Sequence, residues 1–530
     1  MSPALPSRSP TLTRGIVVAV AILVGLATIA ALVAVTFALR VPISSDRMRR
    51  AVTEALAERL DAEVELNAFR VRFLPRVHAE GANLTIRHRG RRDVPPLISV
   101  KSFSVQAGLI EIWRRRIAHV RLDGLEIHIP PGGASIEGAG TRDVDDDEDS
   151  DADAEVIVTE LVAADAKLVI IPRNKAKPPK TWEIHALRME SVSTRTPMPF
   201  QAELTNAVPP GQIEVVGSFG PWQRTEPGET PLGGQFTFEN ADLGVFKGIS
   251  GTLSSKGAFG GALNRIEVQG ETDTPDFTLA VSGNPVPLKT KYHAVVDGTD
   301  GDTRLERVDA SVLDTSIVAI GEVVHVEGVK GRQVDLDVTI DGGRLEDVLR
   351  MAVRAADPPM TGGLDLETTL VLPPGDRDVV EKLQLNGAFT IDAGRFTDAK
   401  VQQQVNELSV RARGRKNPTA KPPRVESDFS GTFALGDMVL SLSKVTFDVP
   451  GAIVELKGQY LLQPERIDFR GNLFMEARVS QTTSGFKSLL LRIIDPLFRR
   501  DGQTVVPLRI SGTRSNPSFG LDLGRVFRRD

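Results

Sequence analysis

Apolar and polar residues alternate with a period of two along most of this chain. A short pattern, Gly-x-apolar-x-apolar, carries the alternation to its carboxyl end. It stands at Gly234-Gln-Phe236-Thr-Phe238, Gly387-Ala-Phe389-Thr-Ile391 and Gly431-Thr-Phe433-Ala-Leu435, and again at Gly471-Asn-Leu473-Phe-Met475, where Phe474 breaks the alternation. Earlier runs behave alike: Val64, Leu66 and Ala68; Leu84 and Ile86; Leu125, Ile127 and Ile129. Successive strand residues point to opposite faces, so alternation gives each strand one apolar and one polar face. Turn signals such as Asp297-Gly298, Asp341-Gly342 and Pro374-Gly375 separate the runs. A strand and a turn repeated without fixed period predict a long antiparallel meander, and not a doubly wound or (β/α)8 arrangement.

One segment departs from that pattern at the start. From Gly15 through Val24 to Leu39, 25 residues carry no charge. As a helix they span about 37 Å, enough for a hydrocarbon core of about 30 Å. A cleaved signal peptide would need only about 7–15 apolar residues, so a retained transmembrane anchor is expected. Arg8 and Arg14 precede the span while Arg40, Arg47, Arg49 and Arg50 follow it, and the flanking charges do not orient it. With no second comparable run, everything after Arg40 lies on one side.

Helices are expected in three further places. Ser44, Ser45 and Asp46 are N-cap candidates for a helix carrying Met48, Val52, Leu56 and Leu60 on one stripe. Its Arg47, Arg49 and Arg50 either meet anionic headgroups or form a solvated face. Residues 341–353 show i, i+3, i+4 spacing and stop before Pro358-Pro359. Residues 486–498 are strongly apolar, with a kink expected at Pro496. Three polar stretches read as loops: Pro130 to Asp153, Pro172 to Lys180, and Arg413 to Arg424. The expected organisation is a tail at 1–14, an anchor at 15–39, a helix plus strands at 40–130 and an acidic disordered loop at 131–155. A middle β region at 156–360 and a carboxyl β domain at 361–530 complete it.

Composition narrows the chemistry. The chain has no cysteine, which excludes a disulfide framework, a thiol nucleophile and thiolate-held metals. The net charge of −5 conceals a tract from Asp143 to Glu155 in which nine of thirteen residues are acidic, leaving +4 on the rest. A pI near 5.9 and 5% aromatics argue against a nucleic-acid binder. The seven histidines are dispersed, and no His-Glu-x-x-His, Gly-x-Ser-x-Gly, Gly-Lys-Ser/Thr or strand–Gly-x-Gly-x-x-Gly–helix unit is present. No catalytic residue, cofactor or metal site is therefore assigned, and the chain does not read as an enzyme. Asp149, Asp151, Asp153 and Glu160 reproduce the acid spacing of a calcium loop. Ala154 stands where the turn needs glycine, and strand patterns follow, so a solvated acidic loop is the better reading.

What remains is the apolar face of many strands. Closed on itself it is ordinary core; left open it forms a groove able to shield acyl chains while headgroups stay in water. The fold expected is mostly β: a single transmembrane helix, then a long, curved antiparallel β-sheet forming an open groove or trough, with a few short helices. Candidate lining residues are Phe236, Phe238, Phe277, Leu279, Val338, Ile340, Phe389, Ile391, Phe433, Leu435, Leu440 and Leu442. The segment bearing Phe486, Leu490, Ile494 and Phe498 is either a lid or membrane contact, or a packed helix. A chain of this kind either handles lipid or serves as a scaffold or assembly factor for outer-membrane proteins, holding a partner at sheet edges or basic loops.

The anchor, the short helix and Asp61-Ala-Glu-Val-Glu-Leu-Asn-Ala-Phe-Arg-Val-Arg-Phe-Leu-Pro-Arg resemble the amino end of AsmA-like proteins. So does Arg116-Ile-Ala-His-Val-Arg-Leu-Asp-Gly-Leu-Glu-Ile. Asn386-Gly-Ala-Phe-Thr-Ile-Asp-Ala-Gly-Arg-Phe-Thr-Asp, Val405-Asn-Glu-Leu-Ser-Val-Arg-Ala-Arg-Gly and Val506-Pro-Leu-Arg-Ile-Ser-Gly-Thr-Arg-Ser-Asn-Pro-Ser-Phe-Gly resemble the family's carboxyl region. The resemblance implies a single-pass inner-membrane protein of Gram-negative-type bacteria, with residues 1–14 cytoplasmic and the bulk in the periplasm. It further implies binding and transfer, or organisation, of phospholipids between inner and outer membranes, as in bridge-like lipid transfer proteins. It supplies no catalytic residues. The acidic tract and the basic Pro-rich loop near Lys416 are not hallmarks of the family.

Overall fold

In a computed structural model, the described residues are 45–60, 62–72, 76–88, 95–96, 98–114, 116–129, 157–170, 180–193, 195–223, 226–298, 301–326, 329, 331–413, 425–475, 499–500, 503–513 and 516–521. The expected anchor at 15–39, the tract at 143–155, most of the Pro172–Lys180 and Arg413–Arg424 loops, and the helix at 486–498 lie outside them. The fold is mostly β and mostly antiparallel, an open sheet with few helices. The chain divides into two compact units: Met1–Asp242, Ser254–Glu271 and Ala294–Thr303 form the first, and Leu243–Leu253, Thr272–His293 and Arg304–Asp530 the second.

In the first unit, helix α1 (Ser45–Leu60) leads into β1 (Ala62–Arg72), β2 (Val77–His88) and β3 (Ile98–Ala107). Helix α2 (Leu109–Trp113), β4 (Arg116–Ile129), β5 (Ile157–Ile170), β6 (Lys180–Val192), β7 (Met198–Ala207), β8 (Pro210–Phe219) and β9 (Pro231–Asp242) follow. Alternation and register together build the core here. Leu66, Leu84, Val100 and Leu125 stand directly opposite one another across β1 to β4, and all are buried. Val52 of α1 is buried in the same cluster, and Arg49 Nη1 donates to the Leu66 carbonyl at 3.2 Å.

Two features depart from a plain meander. Strands β4 and β5 run parallel, with Arg116 opposite Ile157 and Ile129 opposite Ile170. A hairpin joins only antiparallel neighbours, so this pair requires a crossover; residues 130–156, which include the acidic tract, supply the connection. Second, Asn83, Gly124 and Asp165 all take left-handed backbone, with φ of 52°, 60° and 51°. The ladders skip each of them, in β2, β4 and β5. The register is the same on either side of each, so no residue is inserted, and at Gly124 a Cβ would lie 2.9 Å from Lys101 Cβ.

Strands β10 (Ile249–Ser250), β11 (Thr252–Ala262), β12 (Arg265–Leu279), β13 (Val286–Val296) and β14 (Thr303–Val312) follow in the chain. The second unit continues with β15 (Thr315–His325), β16 (Arg332–Arg344), helix α3 (Leu345–Ala352) and β17 (Met360–Leu372). Next come the short α4 (Val379–Lys382), β18 (Gln384–Phe396), helix α5 (Ala399–Ala412), β19 (Ser427–Gly436), β20 (Val439–Val449) and β21 (Ala452–Leu461). Strands β22 (Arg466–Met475), β23 (Arg499–Arg500), β24 (Gln503–Thr513) and β25 (Asn516–Leu521) end it. Strand β1 pairs with β2, and β25 with β24.

The recurring glycines lie within strands, and two of them stand opposite aromatic side chains. Gly387 is opposite Phe433 and Gly431 is opposite Phe389, one strand pair carrying both exchanges. A Cβ on Gly387 would sit 2.2 Å from the Glu367 carbonyl oxygen. The ring across the ladder covers backbone that a glycine leaves bare.

The helix expected at 341–353 is shorter than its spacing suggests. Asp341–Arg344 remain in β16, where a bulge between Ile340 and Gly343 sits against β17. Gly342 (φ 61°) donates its N–H to Asp365 Oδ1 at 2.7 Å, and the helix starts only at Leu345. Thus Asp341-Gly342 marks a bulge, not a turn between strands. The same device recurs at Ile391-Asp-Ala-Gly-Arg-Phe-Thr-Asp398. Ala393 (φ 51°) donates to Asp428 Oδ1 at 3.0 Å, and α5 follows with Asp398 as N-cap, its carboxylate accepting from the N–H groups of Lys400 and Val401.

Candidate functional site: an apolar sheet face

The second unit aligns its alternating residues into rows across many strands. Directly opposite positions share a face. From Val338 on β16 one row passes through Thr368, Gly387, Phe433, Leu442, Gly458, Phe469 and Ile510 to β24. A neighbouring row runs Leu336, Leu370, Leu385, Leu435, Leu440, Tyr460 and Ile467. The other face is polar: Asp337, Thr369, Asn386, Ala434, Ser441, Gln459 and Asp468 stand opposite one another across the same strands.

Burial along the apolar face changes with the position of the helices. At one end α3 packs Leu345, Val348 and Leu349 on Ile340, Leu364 and Ile391. Helix α5 places Val405, Leu408 and Ala412 on Val449, Ala452, Met475 and Val506. Away from that end Leu336, Leu370, Leu385, Leu435, Leu440, Tyr460 and Ile467 are all half-buried, and none belongs to a packed core cluster. Phe389, Phe433, Leu442 and Phe469 are half-buried as well, with the Phe389 and Phe433 rings 6.2 Å apart. The face is thus covered by helix at one end and half-buried, outside the packed clusters, elsewhere.

Polar latches hold both helices at that end. Buried Asp347 of α3 accepts from Thr315 Oγ1 at 2.9 Å and from the Asp314 N–H at 3.1 Å, while Arg344 N donates to Thr315 Oγ1 at 2.9 Å. Asn284 Nδ2 donates to the carbonyls of Arg350 and Val353, closing the last turn of α3. In α5 buried Gln402 donates to Asn406 Oδ1 and to the Val425 carbonyl, and accepts from Phe396 N. Val425 N completes the set by donating to Asn406 Oδ1 at 2.9 Å.

The twelve candidate lining residues fall into groups. Val338, Phe389, Phe433, Leu435, Leu440 and Leu442 lie half-buried on the apolar face of the second unit. Ile340 and Ile391 share that face but are only 3% and 8% exposed, packed beneath α3 as core. Phe236 and Phe238 are half-buried on β9 of the first unit, opposite Val215 and Ile213. Phe277 and Leu279 are half-buried on β12. Gly15, Val24, Leu39, Phe486, Leu490, Ile494 and Phe498 lie outside the described residues. Tyr460, Ile467, Phe469 and Ile510 share the face without having been expected there. Their alternation is plain, but only the register shows that they continue the rows.

For catalytic chemistry the geometry is sparse. His119 Nδ1 lies 2.6 Å from Glu160 Oε2, and Arg188 Nη2 lies 2.8 Å from Glu160 Oε1. Glu160, the twelfth position of the calcium-like spacing, is therefore committed to a hydrogen bond with His119 on β4 and an ion pair with Arg188 on β6. Asp149, Asp151 and Asp153 lie outside the described residues. Among the described residues no group of three or more acidic or histidine side chains is placed to hold a metal, and no helix is long and apolar enough to cross a membrane. Neither a family model, a curated protein nor a solved structure matches the chain.

Proposed function

We propose that this is a membrane-anchored periplasmic protein that binds phospholipid acyl chains on its apolar sheet face and transfers or organises them between the inner and outer membranes. The observation that carries the reading is the half-buried state of the rows through Phe433 and Leu440, against the packed state of Ile340 and Ile391 on the same face. An apolar surface left open after folding needs an occupant when it is larger than a few hundred Å2. A row of Phe and Leu side chains interspersed with Gly387 and Gly458 suits flexible hydrocarbon, since it offers contact without directional polar groups. The sequence resemblance to AsmA-like proteins and the uncharged stretch at 15–39 supply the membrane context.

The test is lipid photo-crosslinking of the full chain with a diazirine-bearing phosphatidylethanolamine. We expect labelled peptides from β18 to β22, and labelling lost in the Phe433→Asp/Leu440→Asp variant while its circular dichroism is retained. Undiminished labelling in that variant rejects the groove. A stoichiometric protein client recovered without lipid would favour the scaffold role.

A further inference from the structure

Helix α2 presents an apolar side chain to solvent at one end of the first unit. Its Ile112 is 8% exposed and clusters with Val71, Val77 and Ala107, where β1 and β3 finish and β2 begins. Ile110 stands two positions earlier, about 200° around the helix. It is 71% exposed, more than any other large apolar side chain among the described residues. A single exposed isoleucine needs no explanation by itself; its place relative to the rest of the chain supplies one.

Helix α1 fixes that place. One residue separates its end at Leu60 from the start of β1 at Ala62, and the helix lies back along the strand. Val52 joins the cluster around Leu66, and Arg49 Nη1 reaches the Leu66 carbonyl at 3.2 Å. The amino terminus of α1 therefore points toward Arg72, the end of β1 where α2 packs. From Leu66 to Arg72 is about 20 Å of strand, of which the turn from Arg49 back to Ser45 covers about 6 Å. Five residues separate Ser45 from Leu39, the last of the uncharged stretch; they reach about 17 Å, which spans the remainder. The other end of the sheet, level with Leu60, lies about 22 Å back along α1 and is beyond that reach. Charge selects no headgroup here. Arg72, Arg76, Arg114 and Arg116 are exposed at this end. Against them stand the acidic tract preceding β5 and Glu80, Glu111 and Glu160, which are hydrogen-bonded to His78, the Gly108 N–H and His119. The tether alone names the occupant.

We propose that α2 rests in the interface of the bilayer that holds residues 15–39, with Ile110 inserted at its acyl boundary. The proposal rests on the membrane anchor of the proposed function, and not on the acyl groove.

The chain has no cysteine, so a single introduced thiol can carry a nitrobenzoxadiazole probe. The full chain is placed in phosphatidylcholine nanodiscs, with or without phosphatidylglycerol, and quenched by doxyl-labelled phosphatidylcholine. Arg114→Cys reports from one turn after Ile110, since the residue 114 N–H donates to the Ile110 carbonyl at 3.0 Å. Val208→Cys is the control, 55% exposed in the β7–β8 turn at the opposite end of the sheet. Quenching at 114 should exceed that at 208 several-fold in both lipid mixtures, and Ile110→Ser should bring it down to the control. Because Ile110 is exposed, the circular dichroism of Ile110→Ser should match the parent. Equal quenching at the two sites, or quenching at 114 that survives Ile110→Ser, overturns the inference. Quenching that requires phosphatidylglycerol also overturns it and assigns the contact to the arginines. A chain that stays out of the nanodiscs overturns the anchor and this inference with it. Loss of lipid crosslinking with 114 still quenched overturns the groove alone.

Discussion

An aspartate introduced at two points of the apolar face should have very different consequences. Ile391 is 8% exposed, opposite Leu364 and Phe429 and packed with Leu345 beneath α3. Replacing it by Asp forfeits about 2–3 kcal/mol of transfer free energy. It also leaves a buried carboxylate with no designed partner, at a cost of several more kcal/mol. The sum approaches the lower end of the roughly 5–15 kcal/mol that holds a domain folded. Leu440 lies on the same face, opposite Leu435 and Tyr460, but is half-buried and outside the packed clusters. A carboxylate there reaches water, and the loss is about 1 kcal/mol of partial burial. At about 2–4 °C per kcal/mol for a unit of this size, Leu440→Asp should lower the melting temperature by about 2–4 °C. Ile391→Asp should lower it by more than about 10 °C or prevent folding. Differential scanning calorimetry of the full-length variants measures both. Equal losses would mean that the row through Leu440 is covered as completely as the row through Ile391, and the open face would be an illusion.

Two further outcomes follow from the helix latches. Asp347→Ala removes the acceptor for Thr315 Oγ1 and Asp314 N; with hydrogen bonds to charged groups worth about 1.5–3 kcal/mol each and partial relief from freeing a buried carboxylate, a net loss of about 2 kcal/mol is expected in urea unfolding. Glu346 is held below its ordinary value of 4.5: burial opposes ionisation, but its own helix N–H, Arg344 and the Gly362 N–H outweigh it. An acid with a depressed native pKa stabilises the fold above its unfolded value and loses that contribution as pH falls through the native one. Stability should therefore decline on acidification below about pH 4.5, and Glu346→Gln should flatten part of that decline, as pH-dependent melting will show.

Strand content was legible because burial on one face imposes a period of two, and no other element does. The positions of Val338, Phe389, Phe433 and Leu440 on alternating apolar runs follow directly. Register was not legible. Nothing local states that Gly387 faces Phe433, because that depends on where two bulges insert an extra residue. Helix α5 was missed because Gln402, Gln403, Gln404 and Asn406 dilute its apolar stripe; two of these polar residues are buried and satisfied by hydrogen bonds that only the folded chain provides. The Asp398 N-cap was the available signal. The parallel pairing of β4 with β5 was hidden because a long connection permits either direction, and the acidic tract within it carries no pairing preference of its own.

The contrast between the packed end of the face and its half-buried remainder follows from how its helices are hung. Strands β16 and β18 each end in a bulge whose left-handed residue is tied to an aspartate on the next strand, Asp365 or Asp428. Each bulge hands the chain to a helix at the same end of the sheet. A purely apolar contact would let α3 or α5 slide across the Leu and Phe rows, since hydrophobic attraction is non-directional. The latches forbid it: Asp347 must stay with Thr315, and Gln402 and Asn406 with Val425, because a buried polar group without its partner costs about 1–3 kcal/mol. A sliding helix would sacrifice several such bonds to cover hydrocarbon worth about 25 cal/mol per Å2. A few hundred Å2 of newly covered surface only balances that loss. The helices accordingly close one end of the face, and the rows through Phe433 and Leu440 stay half-buried.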